Sequence, residues 1–167
     1  MKILGIDPGS RVAGFGLLQA KVSNPLVPRD FRVLQAGVIR LETKQDISFR
    51  LGHLHDAFNQ MILEEKPDVC VIEKAFCGVN ANSALKLGEV RGAVISAVRR
   101  TSTPIAQLTP ASIKKIVAGK GQASKEEVSQ AVSHCLQFDP GKLPHDATDA
   151  LAIALAFGVS MNSQTWG

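Results

Sequence analysis

The sequence predicts an α/β fold: one mixed five-stranded sheet, three antiparallel strands leading into parallel ones, flanked by helices. Three observations carry this. Three apolar segments near the amino end are separated only by turn signals and short loops. After residue 46 the hydrophobic period lengthens from about two to about 3.6 residues. The later apolar runs then alternate with helical segments. Short connections suit antiparallel pairing, whereas strands separated by helices need right-handed parallel crossovers.

Lys2–Ile6 and Gly14–Gln19 read as strands split by the turn Pro8-Gly9-Ser10. Ser23–Asp30, with Pro25 and Pro28, is a loop, and Phe31–Arg40 is the third strand. Ile47, Leu51, Leu54, Phe58, Met61 and Ile62 fall at helical spacing, so Asp46–Lys66 is an amphipathic helix closed by Pro67. Val69–Ile72 is a short buried strand, placed beside the first, and Asn82–Arg100 is a second helix. Ile105–Leu108 is the last strand. Thr109-Pro110 starts a helix, with Thr as cap and Pro at the first position. Ser124-x-x-Glu127 is a capping box for a helix to about Gln137. Asp139-Pro140-Gly141 is a turn, and Asp146–Val159 is the final helix.

Composition bounds the function. A chain of 167 residues with 45% hydrophobic and 20% charged residues is one ordinary globular domain. The longest apolar run, Ala150–Val159, has ten residues, about half of the ~20 a membrane span needs. The start MKILGID reaches a charge at Asp7, too early for a secretory core. Three cysteines, Cys70, Cys77 and Cys135, form no C-x-x-C pair and read as reduced apolar fillers of a cytoplasmic protein. The net charge of +4 is uneven: Arg99, Arg100, Lys114, Lys115, Lys120 and Lys125 follow one another with no intervening acid. Such a block reads either as a polyanion-binding stripe or as a solvated face.

The acids are more telling. Asp7 follows Ile3-Leu4-Gly5-Ile6, and Glu73 follows Val71-Ile72, each at the carboxyl end of a strand. On neighbouring parallel strands the two share one sheet edge, where ligands of such sheets bind. Asp146 and Asp149, three apart, share a helix face that continues into Ile153 and Phe157. Capping of the helix start accounts for Asp146; it does not account for Asp149, which stands above Ile153. Converging carboxylates become tolerable around hard divalent cations. Two such ions clamp the attacking and leaving oxygens of a phosphoryl displacement. Residue types alone therefore favour metal-assisted cleavage of a polyanion.

The stretches GIDPGSRVAGFG (Gly5–Gly16), IEKAF (Ile72–Phe76), NSALKLGEVRGA (Asn82–Ala93) and DATDALAIALA (Asp146–Ala156) occur in the order and spacing of a known family. The chain resembles the RuvC family of bacterial Holliday-junction resolvases, within the ribonuclease-H-like superfamily. The resemblance implies a single nuclease domain over 1–159 and a disordered tail over 160–167. It implies that Asp7, Glu73, Asp146 and Asp149 are catalytic and hold two Mg²⁺ ions, with Mn²⁺ able to substitute. Asp7 would contact both ions, with Glu73 on one side and Asp146 and Asp149 on the other. The implied reaction is two-metal-ion phosphodiester hydrolysis to 5′-phosphate and 3′-hydroxyl ends. A homodimer would nick two strands of a four-way DNA junction symmetrically, with a branch-migration complex of RuvA and RuvB type as partner.

Other positions carry over from the same resemblance. Phe76 matches an aromatic that stacks on a base near the crossover, although a Phe tucked under its loop fits the sequence as well. Lys114 and Lys125 match lysines on DNA phosphate, and Arg11 and Ser10 are placed against the DNA backbone. The other basic residues widen the surface or are plain solvated charges. Ala84, Gly88, Gly92 and Ser96 form a small-residue stripe on the second helix, read as the dimer interface or as close packing on the sheet. His145, beside Asp146, is a neighbour of the site without an assigned role. The tail departs from relatives with basic extensions, since Ser160–Gly167 has no basic residue. Competing classes are a ribonuclease-H-like nuclease without junction selectivity, an actin-like ATP-binding fragment, and a silent binding module of the same fold. The second lacks a further glycine-rich phosphate segment; the third would lose a carboxylate.

Overall fold

The computed structural model describes residues 1–21, 30–74 and 81–163. Strands β1 (Lys2–Asp7), β2 (Val12–Lys21), β3 (Asp30–Arg40), β4 (Val69–Glu73) and β5 (Ile105–Leu108) form one sheet in the order β3-β2-β1-β4-β5. β1 and β2, and β2 and β3, pair antiparallel; β4 runs parallel to β1, and β5 parallel to β4. This is the expected topology. The strand ends move outward: β2 is ten residues long and runs past both expected limits.

The period-2 alternation of the strands sorts two cores. Leu4, Ile6, Leu17, Cys70 and Ile72 face helices α1 (Ile47–Glu65) and α2 (Ala81–Arg100). Ile3, Leu18, Val69 and Val71 face α3 (Pro110–Ala118), α4 (Lys125–Leu136) and α5 (His145–Ser163). Helix α5 is buried from Ala147 to Ala156 except at Asp149, which explains why its sequence is apolar around most of its circumference.

The helix starts follow their local chemistry. Asp46 caps α1 by accepting from the Phe49 N–H, and Thr109 caps α3 ahead of Pro110. Ser124 and Glu127 form a reciprocal capping box on α4. Ser124→Ala removes an acceptor for an orphan N–H, so it should cost about 1 kcal/mol in urea unfolding. An unchanged midpoint would mean the first turn is held by other contacts.

Three readings need correction. Ser160–Ser163 continue α5, so the tail assigned to 160–167 is helical at its start; 164–167 lie outside the described residues. Cys135 is exposed, while Cys70 is the buried filler expected. Phe76 and Cys77 lie outside the described residues. The stripe Ala84, Gly88, Gly92 and Ser96 does not pack on the sheet. The buried side of α2 is Val90, Val94, Ala97 and Val98, and a Cβ added at Gly88 or Gly92 would meet nothing within 4 Å.

Candidate nuclease site

Asp7 and Glu73 meet because of register. Ile6 pairs with Ile72 across the parallel β1–β4 ladder, so the next residue on each strand is a carboxylate. Alternation turns both toward α5: Asp7 shares a face with Ile3 and Gly5, and Glu73 with Val69 and Val71.

Glycines then let α5 come down. Gly5 pairs with Gly16, and Asp7 with Gly14, across β1–β2. A Cβ on Gly14 would collide with the Asp146 carbonyl oxygen, and one on Gly5 with that of Ala150. The first turn of α5 thus sits directly on the strand position opposite Asp7. Asp149, one turn on, lines the same pocket as Asp7 and Glu73.

That pocket has a volume of about 320 Å³, and Lys114, Lys125, Ile113 and Ile153 also line it. Its electrostatics are those of crowded like charges. Asp7 is pushed up to about 7 by burial, then by Asp149, Glu73 and Asp146, against the opposing pull of Lys125. Glu73 is raised by burial and by Asp149, with Lys125 and Lys114 opposing. Lys125 is held above its ordinary value chiefly by Asp149, which its Nζ meets at 3.4 Å.

The donor set is all carboxylate oxygen, which suits a hard divalent cation. Asp7 is raised first by burial of its charge and then by repulsion from its neighbours, and such a cation would relieve both. The site is open rather than a closed cage: among the described residues no three His, Cys, Asp or Glu side chains are already gathered tightly enough to hold an ion. Lys125 instead supplies the positive charge beside Asp149.

The basic block does not form one patch. Helix α2 leaves the carboxyl edge of the sheet and returns to its amino edge, carrying Arg99 and Arg100 to the end opposite Asp7. Lys120 pairs with Glu127 at 2.6 Å. Only Lys114 and Lys125 of the block line the carboxylate pocket. His145 is exposed at the first position of α5, facing a polar recess with Glu126 and Gln130. Ser10 and Arg11 line a different cleft, on the other side of the β1–β2 turn.

Two residues that the sequence did not single out position this edge. Arg91 of α2 donates from Nε to the Glu73 carbonyl oxygen at 3.4 Å and from its terminal nitrogen to Gln107 Oε1 at 2.7 Å. Arg50 of α1 donates to the Ser10 carbonyl oxygen, pinning the turn after Asp7. Both bonds join residues far apart in sequence, so no local pattern signals them.

The family model described as crossover junction endodeoxyribonuclease RuvC matches residues 3–157. This chain belongs to the RuvC family. A RuvC relative from Chlorobium chlorochromatii is 43% identical over 155 residues, covering 93% of this chain and 78% of the relative. One from Geobacter sulfurreducens is 39% identical, covering 93% and 90%. The structure of Thermus thermophilus RuvC in complex with Holliday junction substrate superposes with a TM-score of 0.88 at 28% identity, covering 98% of this chain and 96% of that one. A yeast mitochondrial Holliday junction resolvase shares the fold, with a TM-score of 0.65 at 14% identity over 96% of this chain and 80% of the other. All four carboxylates lie inside the stretch matched by the family model.

Proposed function

We propose that this protein is a crossover junction endodeoxyribonuclease, which resolves four-way DNA junctions by divalent-metal-dependent phosphodiester hydrolysis. The observation that carries the chemistry is the convergence of Asp7 and Glu73 on one face of adjacent parallel strands, in one pocket with Asp149 of α5. The observation that favours junctions over other nucleic acids is membership of a family whose Thermus thermophilus relative is solved with a Holliday junction substrate.

In this reading Asp7, Glu73, Asp146 and Asp149 would hold two Mg²⁺ ions. Bound there, the ions supply Lewis-acid stabilisation of charge on the phosphodiester and of its attacking and leaving oxygens, giving 5′-phosphate and 3′-hydroxyl ends. The chain's own residues do the rest. Burial and the neighbouring carboxylates push Asp7 up to about 7, and as a metal ligand it would be held in its ionised form. Lys114 and Lys125 approach from α3 and α4 and hold phosphate oxygens. Lys125 is exposed, so its contact with Asp149 can be exchanged for DNA at small cost. Arg91 fixes the carbonyl of Glu73 and so the direction of its side chain. Phe76, three residues after Glu73 in the sequence, is the aromatic that would stack on a base near the crossover.

A homodimer accounts for symmetric nicks, with the open stripe Ala84, Gly88, Gly92 and Ser96 as its interface. Exposed Leu85 adds apolar area beside it. Gly92→Leu places a bulky side chain on that seam and should weaken the dimer at least about tenfold in sedimentation equilibrium. A monomeric wild type that cleaves junctions at full rate would remove the dimer from the account. The nuclease unit is read as a single domain over 1–159, and α5 itself runs on to Ser163. A branch-migration complex of RuvA and RuvB type is the partner that family membership suggests. Among the described residues no helix is long and apolar enough to cross a membrane.

Binding separates junction selectivity from chemistry. In an Asp7→Asn background the protein should bind a synthetic four-way junction at least about tenfold tighter than linear duplex of equal length. Both affinities should fall with salt, because phosphate contacts dominate. Equal affinity for the two DNAs would favour a nuclease of this fold without junction selectivity.

A further inference from the structure

The recess between α4 and α5 has a volume of about 460 Å³. Lys125 and Asp149 line both it and the carboxylate pocket, so their ion pair is the shared wall. Glu126 and Gln130 stand four apart on α4, as His145 and Asp149 do on α5, so one face of each helix looks into it. Ser129, half-buried, adds a hydroxyl. The recess does not suit a phosphate. Its only lysine already meets the Asp149 carboxylate at 3.4 Å, and Glu126 brings a second negative charge. Phosphate oxygens would meet like charge there. The recess offers instead a mixture of acceptors and donors. The Glu126 carboxylate accepts, the Gln130 amide does both, and the Ser129 hydroxyl and His145 ring can do either. Among the described residues the Ser129 and Gln130 side chains make no hydrogen bond. Groups of this kind read base edges: glutamine and a carboxylate accept from an exocyclic amino group, and a carboxylate opposes a carbonyl oxygen.

We propose that this recess reads a base beside the scissile phosphate, favouring one with an exocyclic amino group over thymine, with Glu126 and Gln130 as the specificity-determining residues. The inference rests on the function proposed above and deepens it from the shape of the DNA to the sequence at the cut. Lys125 sets the location. With its ammonium on a phosphate at the shared wall, the adjoining nucleotide is brought to the recess. Phosphate contacts position a protein on DNA and base contacts specify. Lys125 does the first, and the α4 face one turn on does the second.

The test cleaves synthetic four-way junctions that differ only in the base on either side of the nick, with Mg²⁺, and compares rates for adenine, cytosine, guanine and thymine. At one of these positions the parent should cut its preferred amino-bearing base about tenfold faster than thymine, the discrimination of one good base contact. Gln130→Ala and Glu126→Ala, both exposed on α4, should each narrow that ratio to less than about threefold. The ratio at the other position should stay as in the parent. Gln60→Ala, exposed on α1 at the other face of the sheet, is the control, and circular dichroism checks that each variant is folded. Ratios equal to the parent's in both variants would overturn the inference. So would a parent that cuts all four bases alike, and so would variants whose rates fall by the same factor on every base, the mark of a general contact. In all three cases the parent still cleaves junctions and the proposed function stands. A parent that cleaves no junction, or cleaves linear duplex equally, would overturn that function itself.

Discussion

Replacing Asp7 with Asn is expected to abolish cleavage and, without divalent metal, to stabilise the fold at neutral pH. The two effects share one cause. Asp7 stands on the α5 face at the end of β1, where burial and three other carboxylates push it from 3.8 to about 7. The sign follows from linkage. The folded state holds a proton that the unfolded chain has released between these two values. Stability is therefore lost as pH rises through that window and stays reduced above it. The full shift corresponds to about 4 kcal/mol, and solvent screening of the partly exposed neighbours leaves roughly 1–3 kcal/mol. Asn keeps the shape and cannot ionise. Thermal unfolding in chelator should show Asp7→Asn melting above wild type at pH 7.5 and level with it near pH 4. Cleavage should fall at least about a thousandfold, because the proposed charge stabilisation at the phosphodiester loses its central ligand. An Asn variant that melts below wild type at pH 7.5 would contradict the reading of a repulsive cluster.

Gly14→Ala is expected to be the most damaging single methyl in the protein. The added carbon would fall on the Asp146 carbonyl oxygen, a backbone atom that cannot rotate away. Either α5 lifts from the sheet or β2 shifts, and either movement opens the core around Ala147–Ala156. The cost should be about 3 kcal/mol or more in urea unfolding. Gly5→Ala should behave similarly against Ala150. Gly52→Ala is the matched control: a helical glycine of α1 with open space around it. There the same change should stabilise by about 0.5–1 kcal/mol. Similar effects at Gly14 and Gly52 would show that α5 is not seated on the glycines.

These glycines mark what the sequence could and could not show. Strand order and helix starts were legible because their causes are local: the change of period, Thr109-Pro110, the capping box at Ser124. Asp7 and Glu73 were legible as strand-end acids for the same reason. Their facing each other needed the Ile6–Ile72 register, and the approach of α5 needed glycines that in a sequence look only like weak strand residues. The basic block misled because it runs unbroken in sequence while α2 carries Arg99 and Arg100 to the far edge. The α2 stripe stayed ambiguous until the sheet contact fell to Val90, Val94, Ala97 and Val98. Arg50 and Arg91 act through bonds spanning 40 and 18 residues, beyond any local pattern.

The central claim is that the convergent carboxylates hydrolyse DNA at a four-way junction with divalent metal. It is tested most directly by incubating the protein with a synthetic junction and with linear duplex, with and without Mg²⁺, and mapping the nicks on each strand. Paired nicks at symmetric positions in the junction, absent without Mg²⁺ and absent in Asp7→Asn, are the predicted result. Equal cleavage of linear duplex, or full activity in chelator, would contradict it.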